Sequence, residues 1–420
     1  MATRGFPLSS LAPPRLVRRL VDLLGPTGGA ARQSFIALVF NSATSFIAGA
    51  TLVGILGSFQ ALPGSLIMVT PAIGLRGNVF STLGNRLSTS IHTGTFSLSF
   101  RRGSVLRQNL AASFCLTMIM SALLASLAKI VAIVVGIEHT ISLLDLATIS
   151  IVGGLLGSIP VALATIALTV GAVRFDWDLD NLVAPTVSTL GDVITIPALW
   201  AATLLVGHGA LSPAIGGIMI VVSLGLTIAA WRSAQEILQQ VVRESMPVLL
   251  VALALSTLGG LVIQKQVGAL ALLPAILVMQ PAFVSSAGAL GGILSGRVAT
   301  NLHLGSVEPT LVPGRRVRQD TSFLLGLALP IFIFNALGAT LVAGWTGSSQ
   351  APGFGWTLLA TLTAALVTML FVVAISYYAT IGAWRVEVDP DSVGVPVVTA
   401  AVDFIGTVVL IFTVVSLSLT

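Results

Sequence analysis

Pro185-Thr186-Val187-Ser188-Thr189-Leu190-Gly191-Asp192 and Pro396-Val397-Val398-Thr399-Ala400-Ala401-Val402-Asp403 each place an aspartate seven residues after a proline, and they do so 211 residues apart. Both stretches lie in apolar sequence long enough to cross a bilayer. A carboxylate at the centre of a membrane-spanning helix costs about 2.5 to 3.5 kcal/mol on insertion scales, so each one needs a partner. Two readings stand. Hydroxyls of neighbouring helices satisfy each carboxylate separately, or the two share a cation. Recurrence at one repeat position favours the cation, because like charges at one depth across an axis otherwise repel.

The surrounding chain has the composition of a polytopic membrane protein: 420 residues, 55% hydrophobic, 8% charged, with a mean hydropathy of +1.02. That is too apolar for a soluble domain around a core. A helix crossing about 30 Å of hydrocarbon needs roughly 20 apolar residues. Eleven segments qualify: 34–59, 61–91, 108–137, 141–173, 184–207, 209–230, 246–264, 267–303, 321–345, 356–384 and 395–419. Segments 61–91 and 267–303 are overlong and rich in proline and glycine, so broken helices lining a cavity are expected there. With the N-terminus inside, the cytoplasmic loops hold fifteen of the twenty Lys and Arg residues, and only Lys265 falls in an outside loop. The positive-inside bias therefore predicts eleven crossings, N-in and C-out.

The net charge of +5 sits in short basic clusters between apolar runs, without the interleaved aromatics of a nucleic-acid surface. Residues 1–33 read as a basic cytoplasmic segment that lacks the apolar centre of a cleavable signal; a short amphipathic helix around Leu16–Leu24 on the anionic inner leaflet and a disordered basic tail are equally open readings of it. A single cysteine, Cys115, offers neither a disulfide framework nor a thiolate metal site.

The aspartates belong to an internal repeat. Asp178, Asp180, Pro185 and Asp192 recur as Asp389, Asp391, Pro396 and Asp403. Upstream, Pro71-Ala72 matches Pro281-Ala282, and Gly77, Arg86, His92 and Gly94 match Gly288, Arg297, His303 and Gly305, with one residue inserted between the two groups. Each half holds five spans, and segment 209–230 has no counterpart. One extra crossing restores the orientation of the first half, so the halves are expected to be parallel about an axis along the membrane normal. The expected organisation is a first repeat over 34–207, a linker helix over 208–231 and a second repeat over 232–420: an all-α pseudo-dimer in one chain.

Oxygen donors dominate these spans, and no cysteine pair or histidine cluster is present. Hard ions such as magnesium or manganese fit better than zinc or copper. Magnesium keeps several waters and takes one or two carboxylates. Asp192 and Asp403 are the central candidates. Ser188 and Thr399, one turn earlier, and Asn78, in a stretch expected to unwind at Gly77-Asn78, are further oxygen donors. Helix packing is the plainer reading of Ser188, Thr399 and Gly77. Asp176, Asp178 and Asp180, with Asp389 and Asp391, form acidic clusters just cytoplasmic of the aspartate helices, to concentrate cations or to cap helices. Arg86 and Arg297, with Gly77 and Gly288, read as structural or gating residues, since a cation repels guanidinium. The chain has no phosphate-binding loop, so a primary pump is not expected. An intramembrane hydrolase is the remaining enzymatic reading, and the Gly-x-Gly-Asp and Tyr-Asp signatures that would support it are missing.

The run Pro71-Ala72-Ile73-Gly74-Leu75-Arg76-Gly77-Asn78, followed by Thr82-Leu83 and Arg86-Leu87-Ser88-Thr89, resembles the signature of the MgtE-type magnesium transporters, in particular the two-repeat solute carrier family 41 branch. The stretches leading to Asp192 and Asp403 are similar to that family's final span. The resemblance covers about 34–419. It implies a multi-pass cell-membrane carrier of Mg2+, with Mn2+ and Co2+ as further possible cargo, whose final-span aspartates line a pathway between two halves. A channel and a Na+- or H+-coupled exchanger both remain open. In the second repeat the Gly-Asn pair becomes Gly288-Ala289, so the coordination is expected to be asymmetric.

Overall fold

A computed structural model describes residues 28–92, 94–101, 103–175, 179–272, 274–345, 353–387 and 390–418. Eleven long helices account for nearly all of them: α1 (Gly28–Gln60), α2 (Val69–His92), α3 (Val105–Val134), α4, α5 (Leu179–Thr203), α6 (Leu211–Trp231), α7 (Glu236–Leu272), α8 (Pro274–His303), α9 (Arg315–Trp345), α10 (Phe354–Arg385) and α11 (Pro390–Ser418). Helix α4 joins an opening turn, Leu143–Ala147, through a π turn, Thr148–Val152, to Gly153–Phe175. Among the described residues there is no strand. Ten of the helices are long and apolar enough to cross a membrane. The eleventh, α5, is 25 residues long and carries the expected segment 184–207, though the side chains of 179–185 and 188 lie outside the description.

Local signals explain the boundaries. Ser104 caps α3 by accepting from the Arg107 N–H, and Ser142 caps α4 by accepting from the Asp145 N–H. Gly94 and Gly305 take φ of 70° and 65° to stop α2 and α8, where a left-handed residue lets the chain turn back. The closing bonds match as well: Thr95 N–H donates to Ser90 O and Ser306 N–H to Asn301 O, each at 2.9 Å and each pair displaced by the same 211 residues. The sequence repeat is therefore a structural repeat down to its helix caps.

The unwinding expected at Gly77-Asn78 does not occur. Helix α2 runs unbroken through both residues, and the Asn78 carbonyl accepts from Thr82 Oγ1 at 2.6 Å. The irregular backbone is confined to the entry, where Gly64 (φ 94°) leads into a 3-10 turn, Ser65–Met68. Pro71 then sits in the first turn of α2, where an N–H has no intrahelical partner to lose. In α8, Pro281 is accommodated inside a continuous helix.

Helices α2 and α8 form the centre, with 72% and 78% of their apolar windows buried against 17% for the linker α6, which is mostly peripheral. Each repeat's last helix packs along its own second helix, α5 on α2 and α11 on α8. Each repeat's first helix instead reaches across: α1 packs on α8 and α9, while α7 packs on α2 and α3. This exchange is made possible by two glycines. A Cβ on Gly49 of α1 would overlap the Val278 carbonyl of α8, and a Cβ on Gly260 of α7 would overlap the Ile67 carbonyl before α2. Gly49 and Gly260, and likewise Ile67 and Val278, stand 211 residues apart, so these contacts follow the 211-residue offset and not the 210 of the Pro71–Pro281 match.

Gly49→Ala and Gly260→Ala should each lower the melting temperature in detergent, since overpacking against backbone costs about 1–3 kcal/mol. Gly54→Ala and Gly57→Ala, with open space around them, should be neutral or stabilising by up to about 1 kcal/mol. Equal behaviour of all four would refute the crossed packing.

Candidate functional site

The two aspartates sit where these crossed helices meet. Asp192 on α5 is buried, and its Oδ2 accepts from Ser45 Oγ of α1 and from Ser285 Oγ of α8, both at 3.2 Å. Asp403 on α11 is partly exposed, and its Oδ2 accepts from Ser256 Oγ of α7 at 2.6 Å. Ser45 and Ser256 are repeat equivalents, and each lies 147 residues before its aspartate. Facing Asp403 from the other repeat is Gly74 of α2, on which a Cβ would stand 2.9 Å from Oδ2. Gly74 stands where the second repeat has Ser285. Each carboxylate is thus met by a serine of its own repeat's first helix and by a small residue of the other repeat's second helix.

The surroundings of the pair differ. Around Asp192, Asn41 Nδ2 donates to Ser285 Oγ at 2.9 Å, Ser285 passes its proton toward the carboxylate, and Thr189 Oγ1 reaches Asn41 Oδ1 at 3.5 Å. Ser42, Ser286 and Asn335 extend this polar seam, with Ser42 and Ser286 2.8 Å apart and Asn335 Nδ2 donating to Ser286 at 3.1 Å. Around Ser256, the matching region is a cavity of about 10 Å³ lined by Pro71, Leu75, Asn78, Leu249, Ala252 and Leu253. A space of this size is just enough for one water.

The structure places Asn78 on the lining of the small cavity beside Ser256, the serine that bonds Asp403. Thr399 Oγ1 bonds within its own helix to Val395 O and Pro396 O, and its side chain lies against Gly288. Gly77 lies against Gly191, the residue before Asp192. Arg86 Nη2 donates to Ser245 Oγ at 2.8 Å. Arg297 pairs with Asp320 at 3.1 Å and stacks over the Phe323 ring, beside an open cavity of about 390 Å³. Both arginines therefore tie helices together at a distance from the aspartates. Asp176, Asp178 and Asp389 lie outside the described residues, as do the side chains of Asp180, Ser188 and Asp391. Among the described residues, no three His, Cys, Asp or Glu side chains gather into a metal cluster.

Sequence reasoning missed the serines, although Ser45 and Ser256 share the offset of the aspartates. It also passed over Arg76. This side chain is 4% exposed, its Nη1 donates to Thr195 Oγ1 at 2.9 Å one turn beyond Asp192, and its Nε has no hydrogen-bond partner. Gly157 makes room for it: a Cβ there would overlap Nη1. The repeat equivalent of Arg76 is Ala287.

Fold and site together define a multi-pass, all-helical membrane protein, built by duplication, with paired carboxylates in its interior. The profile of the MgtE family, described as a divalent cation transporter, matches residues 69–202 and 280–413, with both ends of the second match 211 residues after the first. The chain belongs to this family of transporters, which are not enzymes. It is similar to solute carrier family 41 member 2 of Gallus gallus (26% identical over 383 residues, covering 84% of this chain and 64% of the relative). It is also similar to member 2 of Xenopus laevis (26%, covering 84% and 65%) and to member 3 of Rattus norvegicus (25% over 387 residues, covering 83% and 78%). The chain thus spans just under two thirds of the length of these member 2 relatives. No solved structure matches it.

Arg76→Met should leave the melting temperature unchanged or raise it, because replacing an incompletely bonded buried charge by an apolar chain of similar volume is often neutral or stabilising by about 1–4 kcal/mol. A clear loss of stability would show that the guanidinium holds the fold together.

Proposed function

We propose that this chain carries divalent cations, magnesium foremost, across a cell membrane along a path between its two repeats, with Asp192 and Asp403 as the ion site. The observation that carries the reading is the pair of repeat-equivalent carboxylates. They lie where each repeat's first helix crosses to the other, and each has oxygen valence left over after its serine bonds. A hydrated magnesium ion needs one or two carboxylates and keeps its waters, so it suits two carboxylates among neutral oxygens. Manganese, hard like magnesium, and the borderline ion cobalt are further cargo that oxygen ligands accept. Asn78 contributes on the Asp403 side, and Ser188 and Thr399 offer oxygens one turn before each carboxylate.

In this reading 1–33 is a basic cytoplasmic segment facing anionic lipid, and 34–207 and 232–420 are parallel repeats joined by the linker helix 208–231. One chain serves as a pseudo-dimer with its N-terminus inside and C-terminus outside. The acidic clusters Asp176, Asp178, Asp180 and Asp389, Asp391 concentrate cations at the cytoplasmic mouth. Arg86 and Arg297 anchor the helices that must move if the path opens.

Magnesium flux into proteoliposomes tests the site. Asp192→Asn and Asp403→Asn should each reduce flux by about tenfold or more, a loss that needs only ~1.4 kcal/mol of ion stabilisation. The double variant should fall to the level of empty vesicles. Wild-type flux in a folded double variant would end the proposal. The same vesicles with an opposing Na+ or pH gradient separate coupled exchange from a channel.

A further inference from the structure

The two half-sites differ in a compensated way. On α1, Asn41 stands at the position that is Ala252 on α7; on α2, Asn78 stands at the position that is Ala289 on α8. Each first helix lies against the second helix of the other repeat, so the α1–α8 seam holds Asn41 opposite the stretch of Ala289, and the α7–α2 seam holds Ala252 beside Asn78. Ala252 and Asn78 line the same water-sized cavity beside Ser256, which donates to Asp403. Asn41 bonds to Ser285, one turn before Ala289, and Ser285 donates to Asp192. Asp192 therefore has a carboxamide bonded to it through a serine, and Asp403 has one lining the same small cavity as the serine that bonds it; Asn78 shares that cavity with Ala252, and Asn41 bonds one turn before Ala289.

We infer that Asn41 is a site residue: Asn41 and Asn78 are one component of the site, delivered from the first helix in one half and from the second helix in the other. Building on the reading of Asp192 and Asp403 as the ion site, the neutral carboxamide oxygens hold the hydration shell of a divalent cation beside each carboxylate. Two carboxamides on one seam would overfill it, while none would leave the shell unsupported in a medium where polar groups need partners.

Exchange of the side chains across each seam tests this with Mg2+ flux in proteoliposomes, accompanied by the melting temperature in detergent. Asn41→Ala and Asn78→Ala should each lower flux by about tenfold and raise the Mg2+ concentration for half-maximal flux. Asn41→Ala/Ala289→Asn and Asn78→Ala/Ala252→Asn, which move the carboxamide to the facing helix, should recover to within about threefold of wild type. A purely structural role for Asn41 would restore melting temperature without restoring the Mg2+ dependence. Folded Asn41→Ala with unchanged flux overturns the inference. If Asn41→Ala does not fold, the exchanged pair decides: active protein supports the inference, and inactive or unfolded protein overturns it. Asp192→Asn/Asp403→Asn run alongside separates the two levels. Lost flux there with unaltered Asn41→Ala sinks only this inference, whereas wild-type flux there sinks the site itself.

Discussion

A carboxylate stays inside a helical membrane bundle only if hydrogen-bond donors are delivered to it, and in this protein the first helix of each repeat delivers them. Ser45 and Ser256 reach Asp192 and Asp403 from helices that also lean on the opposite repeat. The bond and the crossing are one arrangement: a first helix packed wholly within its own half would not bring the other half's second helix, with Ser285 or Gly74, up to the same carboxylate. Satisfying the charge and joining the repeats are therefore inseparable. The joint between the halves is where both carboxylates lie.

The crossing in turn depends on close backbone contact. Lipid tails are as apolar as leucine, so helices in a membrane gain from van der Waals fit and polar bonds rather than from escape from solvent. Gly49 and Gly260 allow that fit by bringing α1 and α7 against carbonyls of the opposite repeat, and Gly77 against Gly191 does the same for α2 and α5 beside Asp192. The most buried helices, α2 and α8, carry the signature stretch and its degenerate copy. Their proline and glycine content reads as a break in sequence. In the structure it serves instead to start a helix cleanly and to bring continuous helices close.

The parts of this arrangement that were legible in the sequence are those written in hydropathy or repeated outright. Membrane spans follow from length and apolarity, and the duplication follows from Asp192 and Asp403, Gly94 and Gly305, and the residues between. The aspartates' partners were harder to read. Serine is common in such helices, and nothing local to Ser45 says that it faces α5; only the shared offset with Ser256 singles it out, and only once the aspartates are in view. The position of Asn78 beside Ser256 of the other repeat was out of reach, because it depends on the crossing of α7 onto α2. The unwinding expected at Gly77-Asn78 failed because Pro71 occupies a first-turn position, where proline does not disturb the hydrogen bonds that follow.

Fusion of two repeats into one chain has a physical consequence for such a site. In a symmetric dimer every residue near the axis appears twice, so any charge added there is added in pairs. In a single chain the counts can be odd. Arg76 enters one half beside the Asp192 helix, and Ala287 holds its place in the other. Ser285 bonds to Asp192 beside Ser45, whereas Gly74 adds no second hydroxyl to the one that Ser256 gives Asp403. One aspartate is consequently held in a closed network of hydroxyls and a carboxamide, and the other is partly exposed, its serine partner lining a water-sized space. Fusion thus lets two aspartates that are equivalent in sequence sit in unequal surroundings, which two identical protomers about a twofold axis could not give them.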